Sequence, residues 1–206
     1  MRHFLAILTT LAVAQCATHE DNRFRVGASP QAYVIIGVAE SAANTAESYR
    51  MLWRRLDENG RFIANYDGHT SFEPHTNARS STRVAGIPGE FEMVEIDPGT
   101  YALDSVFATL NDRNVTYFAN GIISDPPRPT FDVAPGEAVY LGIWQLTLQD
   151  TTAVAHPWRL DDADLRAVMR EAGDPIVGVP VSRETKPRDV PCAPHRLNSI
   201  TQRQVC

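Results

Sequence analysis

Two segments of this sequence share one form, and that form limits the fold more than any other feature. Phe91–Ile96 is followed by Asp97-Pro98-Gly99 and then Thr100–Ala108. Phe131-Asp132-Val133 is followed by Ala134-Pro135-Gly136 and then Glu137–Leu148. Each reads as strand, turn, strand. Proline presets φ at the second turn position and glycine accepts a positive φ at the third, which is the chemistry of a type II turn. In the first outgoing strand Tyr101, Leu103 and Phe107 are spaced to share a face. In the second, Val139, Leu141 and Ile143 share one face and Tyr140, Trp144, Leu146 and Leu148 the other. A strand apolar on both sides belongs at the centre of a sheet. Both segments are expected to be hairpins.

The rest of the chain adds strands to this pair. Ala32–Ala39 (AYVIIGVA) is a β-branched apolar run that reads as a buried strand. Ser48–Leu56 alternates, with Tyr49, Met51 and Trp53 opposite Arg50 and Arg54. Asp57-Glu58-Asn59-Gly60 then turns the chain into Arg61-Phe62-Ile63. Tyr117–Ile123 offers one more strand. Asp162–Ala172 carries Leu165, Val168 and Met169 as an apolar stripe, with Asp161 or Asp162 to cap it and Gly173 to stop it, so a short helix is expected. The fold class is therefore mainly β: an antiparallel β-sandwich with one short C-terminal helix, a closed barrel being the competitor. The domain is placed at 31–180, ahead of a polar, Pro-rich tail at 181–206.

The first residues read as an address. Residues 1–15 combine a positive start at Arg2, an apolar core of about ten residues and small residues after it, the layout of a bacterial secretory signal peptide. The core is too short to span a bilayer. Ala12-Val13-Ala14 fits ordinary cleavage, which would release a soluble periplasmic protein. Val13-Ala14-Gln15-Cys16 is similar to the lipobox of bacterial lipoproteins, which would place lipid on Cys16 and make 16–30 a tether. If Cys16 carries lipid, Cys192 and Cys206 are left as an even pair in an oxidising compartment, and a disulfide between them is expected.

Composition excludes several activities. The formal net charge is −6, against a nucleic-acid partner, which needs a cationic face. Lys186 is the sole lysine and sits in the polar tail, far from the desolvated pocket a Schiff-base lysine requires. There is no P-loop, no G-x-G-x-x-G and no G-x-S-x-G elbow. Residues 64–89 form a long loop region, a common place for function. Within it DGHTSFEPH sets Asp67, His69, Glu73 and His75 close in sequence. His69, Glu73 and His75 are weak candidates for metal ligands, because the spacing fits no zinc pattern and Pro74 interrupts an extended run. No metal and no cofactor is expected. Ser80 and Ser81 have no base placed beside them, and Glu90 and Glu92 read as a solvated strand face. Trp53, Trp144 and Trp158 could build a sugar-stacking platform, although core positions are the simpler reading.

The turn segments carry a resemblance. Glu95-Ile96-Asp97-Pro98-Gly99-Thr100-Tyr101, followed by Phe131-Asp132-Val133-Ala134-Pro135-Gly136-Glu137-Ala138-Val139-Tyr140-Leu141-Gly142 and a short helix, resembles uncharacterised bacterial envelope lipoproteins with a transthyretin-like or immunoglobulin-like β-sandwich. It spans roughly residues 30–175 and implies a periplasm-facing domain, with no catalytic residue carried over. Three functions follow as expectations. The first is a non-catalytic envelope lipoprotein, held on a membrane by its lipid and binding an envelope protein or cell-wall partner. The second is a small-molecule or glycan-binding periplasmic module. The third is a hydrolase using the 64–89 loop.

Overall fold

A computed structural model describes residues 23–41, 48–64, 68–112, 115–122, 127–197 and 203–206. In chain order the elements begin β1 (Phe24–Arg25), β2 (Ala32–Glu40), β3 (Ser48–Arg55), β4 (Ser71–Phe72), β5 (Glu90–Ile96), β6 (Gly99–Asp112), β7 (Val115–Ile122) and β8 (Arg128–Val133). They continue with β9 (Ala138–Gln149), β10 (Thr152–Arg159), α1 (Asp162–Glu171), β11 (Ile176–Val177), β12 (Val181–Ser182), β13 (Lys186–Arg188), β14 (His195–Arg196) and β15 (Gln204–Val205).

Two sheets pack face to face as a β-sandwich. One has the order β10-β9-β2-β5, with β12 also on β9; the other has the order β13-β8-β6-β3-β4, with β7 also on β6. Pairing is mainly antiparallel, but the central β2–β9 pair is parallel. The interior is filled from both sheets by Val34, Ile36, Met51, Trp53, Leu103, Val106, Phe131, Val139, Trp144 and Leu146. Trp53 anchors it, stacked on Phe72 at 6.1 Å and edge-on to Phe131 and Trp144 at 5.5 and 5.4 Å between ring centroids. Such pairs add roughly 0.5–1.5 kcal/mol each beyond area burial. A second apolar layer covers the outer face of the first sheet, where Leu165, Val168 and Met169 of α1 meet Ile35, Phe91, Tyr140 and Ile143. Asp161 caps that helix, its carboxylate accepting from the Ala163 amide at 2.7 Å.

The Pro-Gly turns differ from expectation. Strand β5 pairs with β2, whereas β6 pairs with β3, β7 and β8. The Pro98-Gly99 turn therefore carries the chain from one sheet to the other, and Pro135-Gly136 does the same between β8 and β9. They are arches and not hairpin turns. The same turn chemistry suits both. What separates them is which layer each flanking strand joins, and the local pattern does not encode that.

Strict alternation also breaks once in each long strand. Leu52 pairs with Ser105 and Trp53 with Leu103, so Asp104 is the extra residue of a β-bulge. Beyond the bulge the faces exchange: Leu103 points into the interior and Phe107 points outward, beside Leu52 and Val205. In β9 a register shift spans Leu141 and Gly142, with Gly142 at φ +75°. Val139 and Leu141 then share the interior with Trp144 and Leu146, while Tyr140 and Ile143 face α1. A bulge inserts one residue, and one residue is enough to invert a period-2 pattern.

Both ends of the described chain are more structured than a tether and a polar tail. Phe24 is buried against Tyr33, at 5.1 Å between ring centroids, and β1 pairs in parallel with β11. The apolar side chain at 24 supplies the anchor that a tether reading of 16–30 overlooks. In the tail, β12 adds to β9, β13 adds to β8, and Val190 and Val205 are buried. Proline at 187 is tolerated because β13 is an edge strand. No helix among the described residues is long and apolar enough to cross a membrane.

Candidate functional site

The loop residues singled out in the sequence do not meet at one point. Cys16 and Asp67 lie outside the described residues. His69 is exposed, and its carbonyl accepts from the Tyr101 hydroxyl at 2.9 Å and from the Asp97 amide at 2.8 Å. Its role is to fasten the loop to the arch. Glu73 is held by two arginines, Arg50 at 3.4 Å and Arg203 from the tail. His75 bridges to Arg50 through its backbone and sets Nδ1 4.0 Å from Glu92 Oε2. Among the described residues no three His, Cys, Asp or Glu side chains gather as metal ligands.

Glu73, His75, Glu92, Arg50 and Arg203 form a polar cluster at the open edge of the sandwich, where the edge strands β4 and β5 face each other. A cavity of about 350 Å³ opens there, lined by Leu52, Phe72, Val94 and Leu197 together with Glu73, Glu92 and Arg203. Glu92 is not on the solvated strand face expected of it. Burial raises its carboxyl above the ordinary value, against the opposing charges of His75 and Arg50. Glu90, two residues away, is also partly desolvated. Its ion pair with Arg83 at 2.6 Å and its acceptance from the Asn77 amide at 2.9 Å and the Ser81 hydroxyl at 2.8 Å outweigh that, and its carboxyl is lowered. A carboxylate so saturated with donors is a weak base for activating Ser81.

The tryptophans separate into two environments. Trp53 and Trp144 are fully buried and belong to the core, so they build no sugar platform; Trp158 is 47% exposed. Trp158 belongs to a group: the exposed large apolar side chains among the described residues are Val26, Trp158, Leu160, Val179 and Val181. All lie around α1. Trp158 and Leu160 precede the Asp161 cap, and the Val26 amide donates to the Val177 carbonyl just before Val179. A groove of about 820 Å³ runs between α1 and the 178–182 segment, with Leu165, Met169, Val179 and Val181 in its walls. A second, smaller one of about 270 Å³ is lined by Trp158, Leu160 and Trp144 together with Arg183 and Glu184. Asp162, Arg166, Arg170 and Asp174 rim the larger groove with both signs of charge. Sequence reasoning missed this surface. Its one local signal was a valine at 179 and another at 181 inside a polar, Pro-rich stretch.

Cys192 and Cys206 are joined in a disulfide, with Cα atoms 4.9 Å apart. Beneath it lies a buried charge network. Arg54 pairs with Asp104 at 2.6 Å, and both are essentially without solvent exposure. Arg128, also fully buried, donates to the carbonyls of Leu103 and Asp104 at 3.1 and 2.8 Å. The bulge at Asp104 presents those two carbonyls side by side. Desolvation lowers the Arg128 guanidinium from its usual value, with Asp104 opposing.

No protein-family profile matches the chain, and no curated protein matches it. Among solved structures, one described as a "putative cell adhesion protein" from Bacteroides fragilis aligns with it at 8% identity and a TM-score of 0.30. The alignment covers 64% of this chain and 48% of that one, so the chain spans about half the length of that structure. A likeness this shallow carries no argument about activity.

Proposed function

We propose that this protein is a non-catalytic binding module of the bacterial cell envelope, held at a membrane through lipid on Cys16, that engages a protein partner with the apolar surface around α1. The observation that carries the reading is the groove beside α1, where Val179 and Val181, 80% and 51% exposed, stand in the wall with Leu165 and Met169. Single exposed apolar residues are ordinary; a contiguous set rimmed by charges is the mark of an interaction surface. The mixed charges of Asp162, Arg166, Arg170 and Asp174 suit a polypeptide better than a polyanion such as a nucleic acid. The Cys192–Cys206 disulfide supports an exported address, because such bonds persist in oxidising compartments. The secretory layout of residues 1–15 agrees with it.

Site-specific photocrosslinking in intact cells tests this. A crosslinker at position 179 or 158 is expected to trap one protein species, which a crosslinker at the exposed Glu95 does not trap. Val181→Asp is expected to abolish the product at 179. Absence of any product at both groove positions, or equal products at 95, overturns the reading.

A further inference from the structure

The side of the disulfide facing the protein is not neutral. Arg128 Nη2 donates to Cys206 Sγ at 3.0 Å, while among the described residues no charged side chain is in such contact with Cys192. Arg128 is wholly buried and pinned by the Leu103 and Asp104 carbonyls and, at 3.4 Å through Nε, by the Val190 carbonyl. It cannot turn away. Among the described residues, the charged groups near that sulfur include Arg128, Asp104, whose carboxylate accepts from the Cys206 amide at 2.9 Å, Arg54, which pairs with Asp104, and the α-carboxylate of Cys206 itself, which opposes the guanidinium. The guanidinium is in direct contact with the sulfur, and the Asp104 carbonyl oxygen lies 4.0 Å from it. A fixed cation in contact with one sulfur of a disulfide stabilises the thiolate that sulfur becomes, and the better-stabilised thiolate is the better leaving group.

We propose that Cys192–Cys206 is a thiol-exchange site with a built-in direction, in which a dithiol reductant attacks Cys192 and Cys206 departs as the thiolate held by Arg128. The attacking thiolate forms a new S–S bond to Cys192 Sγ as the Cys192–Cys206 bond breaks, its electron pair leaving on Cys206. The reductant's second thiol then attacks its own sulfur in the mixed disulfide, releasing Cys192, which takes a proton. Two electrons pass from the dithiol to this protein, and the reductant ends as its own disulfide.

The exchange has a structural consequence. The disulfide is the cross-link on residues 203–206, which hold besides through the β14–β15 pairing, through the Gln204 and Cys206 amides on Asn120 and Asp104, through buried Val205 against Leu52 and Phe107, through the Arg203–Glu73 ion pair and through Arg203 stacked 4.0 Å over Phe107. Opening it leaves the segment that covers Leu52, Phe107 and the Arg54–Asp104–Arg128 network to noncovalent contacts alone. Both cysteines are partly exposed, so the bond is reachable with the fold intact.

The test uses oxidised full chain and glutathione as the probe thiol. Samples are quenched early with N-ethylmaleimide, and both adducts are mapped by peptide mass. The native protein is expected to carry glutathione on Cys192 and maleimide on Cys206, at least about fivefold over the reverse. In urea, where Arg128 no longer touches the sulfur, the two are expected to approach equality. Arg128→Gln, if circular dichroism shows it folded, is expected to lose the preference and to react several-fold more slowly. If that variant does not fold, the native-against-urea comparison decides alone. Equal adducts in the native protein, glutathione mainly on Cys206, or an unchanged preference in folded Arg128→Gln overturns the proposal.

Discussion

Glu90 and Glu92 stand two residues apart on the same face of one strand, and their environments push their carboxyls in opposite directions. Glu92 is raised by burial, so its contribution favours the fold most where it is protonated and is lost as pH rises through its folded value. Glu90 is partly desolvated, but Arg83, the Asn77 amide and Ser81 win and lower it. Its contribution is present above the ordinary glutamate range and is lost as pH falls through its folded value. Glu92→Gln is therefore expected to raise Tm at pH 7 and to change it little near pH 3. Glu90→Gln is expected to lower Tm at pH 7, with the difference closing on acidification. Melting curves across that range check both signs.

The buried pair beside the bulge should be among the most sensitive points in the fold. Asp104→Ala leaves Arg54 without its 2.6 Å partner in a dry setting. Removing one member of a buried ion pair costs roughly 3–5 kcal/mol. Urea unfolding is expected to show a loss of that order, whereas Asp132→Ala, which breaks an exposed pair with Arg188, should cost under about 1 kcal/mol.

Gly136 and Gly99 should not tolerate valine equally. At 136 φ is +70° and a Cβ would stand 3.1 Å from the backbone of Gly27, which has no side chain to move aside. At 99 the close atom is the Nε of Arg55, the end of a long side chain that can yield. Both substitutions strain the backbone, by roughly 1 kcal/mol or more. Gly136→Val is expected to be the more damaging of the two. A larger loss of Tm at 99 would contradict this.

The lipid anchor has a direct readout in the intact mass of the mature chain. A chain starting at Cys16 with fatty-acyl mass is the expected outcome, and two or more acyl chains are needed for stable anchoring at about 0.8 kcal/mol per buried CH₂. An unmodified mature chain starting at Gln15 rules the anchor out.

Strand identity was legible in the sequence because it follows from residue type and period. Ala32–Ala39, Ser48–Leu56, both arms of the Pro-Gly segments and the Asp161-capped helix all stand where their patterns put them. Partnership was less legible, since Asp97-Pro98-Gly99 is compatible with a hairpin or an arch. Facing failed past Asp104 and Gly142, where one extra residue inverts the count. The apolar surface at Val179 and Val181 was hidden for another reason. It is assembled from α1, the residues before it and the segment after it, and each piece alone is unremarkable in composition.

The arches bear on how quickly the native state can form. Neither Pro-Gly turn closes a hairpin, so neither joins sequential antiparallel partners as the turn between β9 and β10 does. The centre of the first sheet instead sets Tyr33 beside Ala138 and Val38 beside Trp144, pairings that must bring distant parts of the chain together before they repay the loop entropy. Folds dominated by such non-local pairs take milliseconds to seconds, far longer than helical bundles of similar stability. Until β2 and β9 meet, the apolar run at 32–39 has no lasting cover, and the nascent chain stays open to whatever machinery handles it during that interval.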